Sequence, residues 1–201
     1  MKIVNSKPFF INNFLSRIIL TFSLFLSVCS VYGQTFLFQE TFDEANGSNS
    51  GVDNTANNVA WSSTCPSSEN AQDYFDVRNG KLEGRDTNGE AVFTTDPIDI
   101  STAPEGVVLR ATFSESGDME ECTPGCEFTC LDWVRFEWRV DGGPWILHPS
   151  SVACTNASAG SSYILLGNMT QAQETFTSNC ITGNSLEIRI AVANWAANEY
   201  W

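Results

Sequence analysis

The sequence predicts an all-β domain, a two-sheet antiparallel sandwich of jelly-roll type, and three observations carry that expectation. Apolar and polar residues alternate with period two along the chain, and helical periodicity is nearly absent beyond Gly33. Clusters of Gly, Asn, Asp and Ser punctuate the alternating runs, at a spacing that fits about nine or ten short strands.

The first run, Thr35 to Phe42, places Phe36, Phe38, Glu40 and Phe42 on one face. A polar stretch from Asp43 to Asn58 follows and is expected to be one long loop. In Tyr74 to Glu83 the dipeptide Asn79-Gly80 marks a two-residue hairpin, because both turn positions need positive φ. That register sets Val77 against Leu82 on the buried face and Asp76 against Glu83 on the outer face. Like charges in that position repel unless Arg78, Lys81 or a cation intervenes. Glu90 to Thr95 is the next strand, and Asp96 to Ser101 reads as an edge, since Pro97 has no N–H for a central ladder.

Val107 to Glu115 alternates with Val107, Leu109, Ala111, Phe113 and Glu115 on one face. Trp133 to Val140 points Val134, Phe136, Trp138 and Val140 inward and Trp133, Arg135, Glu137 and Arg139 outward. The turn Asp141-Gly142-Gly143 returns the chain through Trp145-Ile146-Leu147. Further strands are expected at Ser162 to Leu166, Glu174 to Thr177 and Leu186 to Val192.

The start of the chain has a different character. Lys2, Lys7 and Arg17 precede the apolar run Ile18 to Leu26, and small Gly33 with Val31 two before it fits a signal-peptidase site, with cleavage after Gly33. Residues 1–33 therefore read as a signal peptide, and residues 34–201 as a single exported domain of 201 − 33 = 168 residues. An uncleaved anchor is disfavoured because the apolar run falls short of the roughly 20 residues that span a bilayer. Lipid attachment at Cys29 is disfavoured by bulky Val28 in Leu26-Ser27-Val28-Cys29.

All 24 acids follow Gly33 while three of the 10 Lys and Arg precede it, so the exported chain carries 7 − 24 = −17 formal charges. That balance argues against nucleic acid and anionic membrane surfaces as partners. Six cysteines remain after Gly33, namely Cys65, Cys122, Cys126, Cys130, Cys154 and Cys180, and an even count in an exported chain predicts three disulfides. Cys154 with Cys180 is the expected pair around two late strands. Zinc is excluded for Cys122 to Cys130, because Pro124-Gly125 breaks any helix there and the lone histidine, His148, lies well downstream.

Several segments together resemble a known family. Phe38-Gln39-Glu40-Thr41-Phe42-Asp43, Asp73 to Glu83, Gly89-Glu90-Ala91-Val92-Phe93, Ile98-Asp99-Ile100-Ser101, Ser116 to Glu120 and Asp132 to Gly143 are similar to the opening module of large secreted surface proteins of Bacteroidetes-type bacteria. The resemblance implies a concanavalin-like or MAM-like jelly roll, ahead of adhesion repeats and a type IX secretion sorting domain. It also implies a closing strand with a Phe-Asp-Asn segment beyond Trp201. The chain is therefore expected to be a fragment without its last strand or downstream domains. The insert from Cys122 to Cys130 is longer than the family pattern.

Glu40 and Glu115 fall on apolar strand faces, where a bare carboxylate is costly unless paired or metal-bound. Clustered carboxylates suit calcium, and the resemblance implies a structural calcium beside the first strand, so Glu40, Asp43 and Asp118 form the expected metal site. An ordinary ion pair with Arg110 or Arg189 is the competing explanation for the buried acids. Trp61, Trp133 and Trp145 are the expected ligand-binding aromatics, since sugar rings stack on flat indoles.

No nucleophile elbow, phosphate loop or plausible Cys and His dyad is present in the sequence. The resulting expectation is an extracellular, non-catalytic binding or adhesion module whose partner is a glycan or a surface protein, stabilised by calcium. A carboxylate-based glycoside hydrolase and a structural spacer are the alternatives.

Overall fold

The computed structural model describes residues 1–5, 35–66, 72–117, 132–149 and 173–201. Its strands are β1 (Lys2–Asn5), β2 (Phe36–Gln39), β3 (Ser50–Val52), β4 (Ala60–Thr64), β5 (Tyr74–Arg78), β6 (Lys81–Arg85), β7 (Ala91–Thr95), β8 (Ile98–Asp99), β9 (Val107–Phe113), β10 (Trp133–Val140), β11 (Ile146–Leu147), β12 (Glu174–Thr177) and β13 (Ser185–Ala193). The described residues contain no helix, and the protein is all-β as the alternation predicts.

Two antiparallel sheets carry most of the strands. One has the order β12-β9-β1-β2, and the other the order β11-β10-β13-β7-β4-β3 with β8 also on β13. The longest ladder joins β10 to β13, from Trp133 opposite Ala193 to Val140 opposite Leu186. Alternation drives its burial: Val134 and Phe136 of β10 and Leu186 and Ile188 of β13 are fully enclosed. The other sheet turns Val107, Leu109 and Ala111 into the same core, and Phe113 meets Phe136 edge-on at 5.7 Å between ring centres. Each such side chain contributes about 1.5 to 3 kcal/mol by leaving water.

The expected hairpin forms between β5 and β6, with φ of 51° at Asn79 and 75° at Gly80. Val77 pairs with Leu82 and Asp76 with Glu83. The like charges are separated by their own partners, Asp76 by Arg78 at 2.6 Å and Glu83 by the Tyr74 hydroxyl at 2.5 Å. The turn after β10 has the same conformation, with φ of 51° at Asp141 and 67° at Gly142. Asp141 Oδ1 also accepts the amides of Asn184 and Ser185, which holds its carboxyl below the ordinary range and ties this turn to the start of β13.

Three expectations need revision or completion. The first strand ends at Gln39 rather than Phe42, because Phe42 adopts a φ of 56° and leaves the pleat. The polar stretch from Asp43 to Asn58 is not one loop, since Ser50–Val52 pairs with Ala60–Ser62. Its composition conceals the strand: pairing there depends on Gly51, whose missing side chain makes room for Trp61 across the ladder. The end of the chain docks on the hairpin, with Trp201 and Gly84 exchanging both backbone hydrogen bonds at 3.0 and 3.1 Å.

Lys2–Asn5, the basic start of the expected leader, runs as β1 between β2 and β9, antiparallel to both. The apolar run, the expected cleavage site and the expected strand at Ser162 to Leu166 lie outside the described residues.

Candidate functional site

A cluster of three acids gathers where the chain leaves β2. Glu40, Asp43 and Glu44 each bring a carboxylate oxygen within 4.8 Å of the others. The backbone explains the convergence. Positive φ at Phe42 folds the chain back on itself, so residues that a straight strand would spread over two faces meet on one side. The Phe42 ring anchors that turn, edge-on to Trp61 at 5.5 Å and to Phe93 at 6.0 Å. A phenylalanine in the left-handed region is strained, and these ring contacts hold it there.

Glu40 is the buried member, only 1% exposed. Its Oε1 accepts the Phe42 amide at 2.5 Å, while Oε2 has no hydrogen-bond partner. Glu44 Oε2 is likewise enclosed without a partner. The Trp61 indole N–H lies beside Glu40, short of a full hydrogen bond. Burial raises the Glu40 carboxyl above its ordinary value; the Phe42 amide opposes this and the Glu44 charge adds to it. Arg189 does not resolve the conflict, because it pairs with Glu137 at 2.6 Å.

Three carboxylates gathered within 4.8 Å, two of them with an enclosed unpartnered oxygen, are an arrangement that a hard cation can take. Calcium takes about six to eight oxygens, so Glu40, Asp43 and Glu44 would supply part of its shell and backbone carbonyls or water the remainder. Of the expected ligands, the structure brings Glu40 and Asp43 together, and Asp118 lies outside the described residues. Glu44 is the member that the sequence did not single out, since it belonged to a stretch read as polar loop. Its spacing of four from Glu40 carries no signal in a strand, and only the turn at Phe42 makes them neighbours. Glu115, also expected on an apolar face, is half-buried beyond the end of β9.

The three aromatic candidates do not form a platform. Trp61 is 2% exposed and packs its ring on Phe93 at 5.6 Å, so it belongs to the core. Trp133 does alternate away from Val134 and Phe136, yet it is 6% exposed with the Arg135 guanidinium over its ring at 5.1 Å. Three of the four outward residues are covered: Arg135 and Glu137 are buried too, paired with Glu90 at 2.5 Å and Arg189 at 2.6 Å, and only Arg139 at the end of the row is partly exposed. Alternation identifies the face of a strand but not whether that face meets water. Trp145 is half-buried, with Arg139 and Arg189 over its ring at 4.7 and 4.3 Å.

Among the described residues no disulfide is formed. Cys180 is an exposed thiol, its Sγ 3.1 Å from the Glu105 carbonyl, and Cys65 Sγ lies 3.9 Å from the Thr87 carbonyl. Cys122, Cys126, Cys130 and Cys154 lie outside the described residues.

Comparison with protein-family models, with curated proteins and with solved structures returns no match. The functional reading therefore rests on the geometry above.

Proposed function

We propose that this chain is an exported, non-catalytic binding module of adhesion type, a disulfide-stapled jelly-roll sandwich whose acids at Glu40, Asp43 and Glu44 take calcium. The observation that carries the reading is the fully buried Glu40 carboxylate, with one oxygen unpartnered and two further acids beside it. A bare cluster of that kind is costly, and a bound cation converts the cost into stability and fixes the loop after β2. Ligand binding then falls to the loops that this anchored edge holds in place.

The same geometry disfavours a hydrolase at this cluster. Paired-carboxylate glycosidases hold their two acids about 5 to 10 Å apart on either side of an open cleft. Here three carboxylates converge within 4.8 Å and the central one is closed off beneath Trp61. With Trp61 and Trp133 buried, a glycan would be read by hydrogen-bonding loops rather than by an indole shelf.

The test is a glycan and surface-protein array probed with the exported protein, in calcium and in chelator, followed by reducing-end analysis of any glycan bound. The expected result is calcium-dependent binding that creates no new ends. New reducing ends that vanish in a carboxylate variant would establish the hydrolase instead, and silence on both counts would leave a spacer.

A further inference from the structure

The four-stranded sheet contains a place one strand wide. β2 and β9 do not pair with each other; each pairs with β1 instead, Gln39 to Phe36 on one side and Arg110 to Val107 on the other. Both walls are rooted in the core, since Phe38 of β2 and Val107 and Leu109 of β9 are fully buried. Beside it lies an apolar cavity of about 70 Å³ lined by Met1, Phe42, Phe113 and Trp201 among others.

The reading of residues 1–33 as a leader, on which this inference rests, takes β1 away with export. What remains is a slot between β2 and β9 about two strand spacings, roughly 10 Å, across. Both walls would present unpaired N–H and C=O groups, and water would reach Phe38, Leu109 and the cavity that Met1 helps to line. All other described strands already have neighbours within their own sheets.

Charge specifies what fits. The amino terminus of β1 lies against Glu40, where the Met1 ammonium donates to the Glu40 carbonyl at 2.7 Å and the Glu40 amide donates to the Met1 carbonyl at 3.0 Å. Glu40, Asp43 and Glu44 cluster at that end, and a bound calcium would offset only two of their three charges. A strand with a positive amino-terminal end is favoured there, whereas a second copy of this acidic chain is opposed by like charge.

We propose that in the exported protein this slot is a strand-acceptor site, which takes an extended aliphatic strand from another polypeptide, antiparallel to β2 and β9, with its positive end beside Glu40. Main-chain hydrogen bonds to both walls give the affinity, and the apolar core side of the walls selects the side chains. The strand completes the sheet.

The experiment uses the secreted protein, with its N-terminus read by intact mass and amide exchange followed at Glu40 on the β2 side and at Val108 and Arg110 on the β9 side, since the amides of Val107 and Leu109 bond to Ile181 and Ser178 instead. The probe is a synthetic peptide of residues 1–6, Met-Lys-Ile-Val-Asn-Ser. The expected result is a chain beginning at Gln34 whose amides at Glu40, Val108 and Arg110 exchange fast, and slow at least about tenfold when the peptide is added. A Val4→Pro peptide, lacking one ladder N–H, should give no protection. A chain that retains Met1 would overturn the export reading itself. A chain that begins at Gln34 but is already protected, as a monomer or as a dimer, would overturn the acceptor site and leave export standing, as would failure of the peptide to slow exchange.

Discussion

Gly51 stands directly across the ladder from Trp61, and a Cβ on it would overlap Oε1 of Glu44 and stand 2.8 Å from the Trp61 indole. One glycine therefore sets two things together: the approach of β3 to β4 and the position of the third carboxylate. Gly51→Ala should push the Glu44 carboxylate out of the cluster and press on a buried indole that cannot yield. The expected cost is about 1 to 3 kcal/mol of stability, as for overpacking elsewhere, with a loss of calcium stabilisation on top. Paired melts in calcium and in chelator separate the two effects; an unchanged calcium increment would remove Glu44 from the site.

Glu40→Gln isolates the charge from the shape. The amide keeps an oxygen for the Phe42 N–H but carries no charge to desolvate. Without calcium the variant should be at least as stable as the parent. With calcium it should not gain the increment of the parent, about 2.7 kcal/mol at a hundredfold excess over Kd. Equal calcium responses in the two proteins would remove Glu40 from the proposed cation site.

The pH dependence follows from the direction of the Glu40 shift. Its folded carboxyl sits above the ordinary 4.5, so between these values the folded protein holds a proton that the unfolded chain has released. The Glu40 contribution is therefore most favourable below 4.5 and is lost as pH rises through the folded value. In chelator the parent should lose stability across that window relative to Glu40→Gln, and saturating calcium should abolish the difference, since the cation takes the place of the proton. Thermal melts across that pH range, in both conditions, provide the check.

Trp133→Ala should reveal a structural residue. Its ring is enclosed beside Arg135, so truncation is expected to cost about 3 to 5 kcal/mol of stability, the range for large buried aromatics. Denaturant unfolding measures it. A cost near zero would return Trp133 to the surface role that strand alternation alone suggests.

The elements legible in the sequence were those whose signals are local. Asn79-Gly80 and Asp141-Gly142 fixed two turns through positive φ, and the run from Trp133 to Val140 matches its strand residue for residue. Ser50–Val52 escaped because its pairing rests on a glycine against a distant tryptophan, a contact that no local pattern encodes. At the site, Glu40 was legible as an acid on an apolar face, and Asp43 came from the family resemblance, which implies a calcium beside the first strand. Glu44 was not, because its approach depends on left-handed Phe42, a conformation that phenylalanine does not advertise. Trp133 and Trp61 were misplaced for a related reason: whether a face is covered depends on the whole fold.

The cysteines test the exported setting separately from the cation. Cys180 projects an exposed thiol beside Glu105, and the tight seat of Gly106, at a φ of 90°, brings the backbone close against that sulfur. An exposed thiol in an oxidising compartment finds a partner, and an even set of six after Gly33 leaves none over. Secreted protein, denatured without reductant and treated with a thiol-reactive label, should take up no label, and Cys180→Ser should then free one thiol elsewhere. Mass mapping of that thiol identifies the partner, with Cys154 expected. Labelling at Cys180 in the parent protein would show that it remains reduced and would undercut the three-disulfide frame while leaving the proposal of a cation at Glu40, Asp43 and Glu44 untouched.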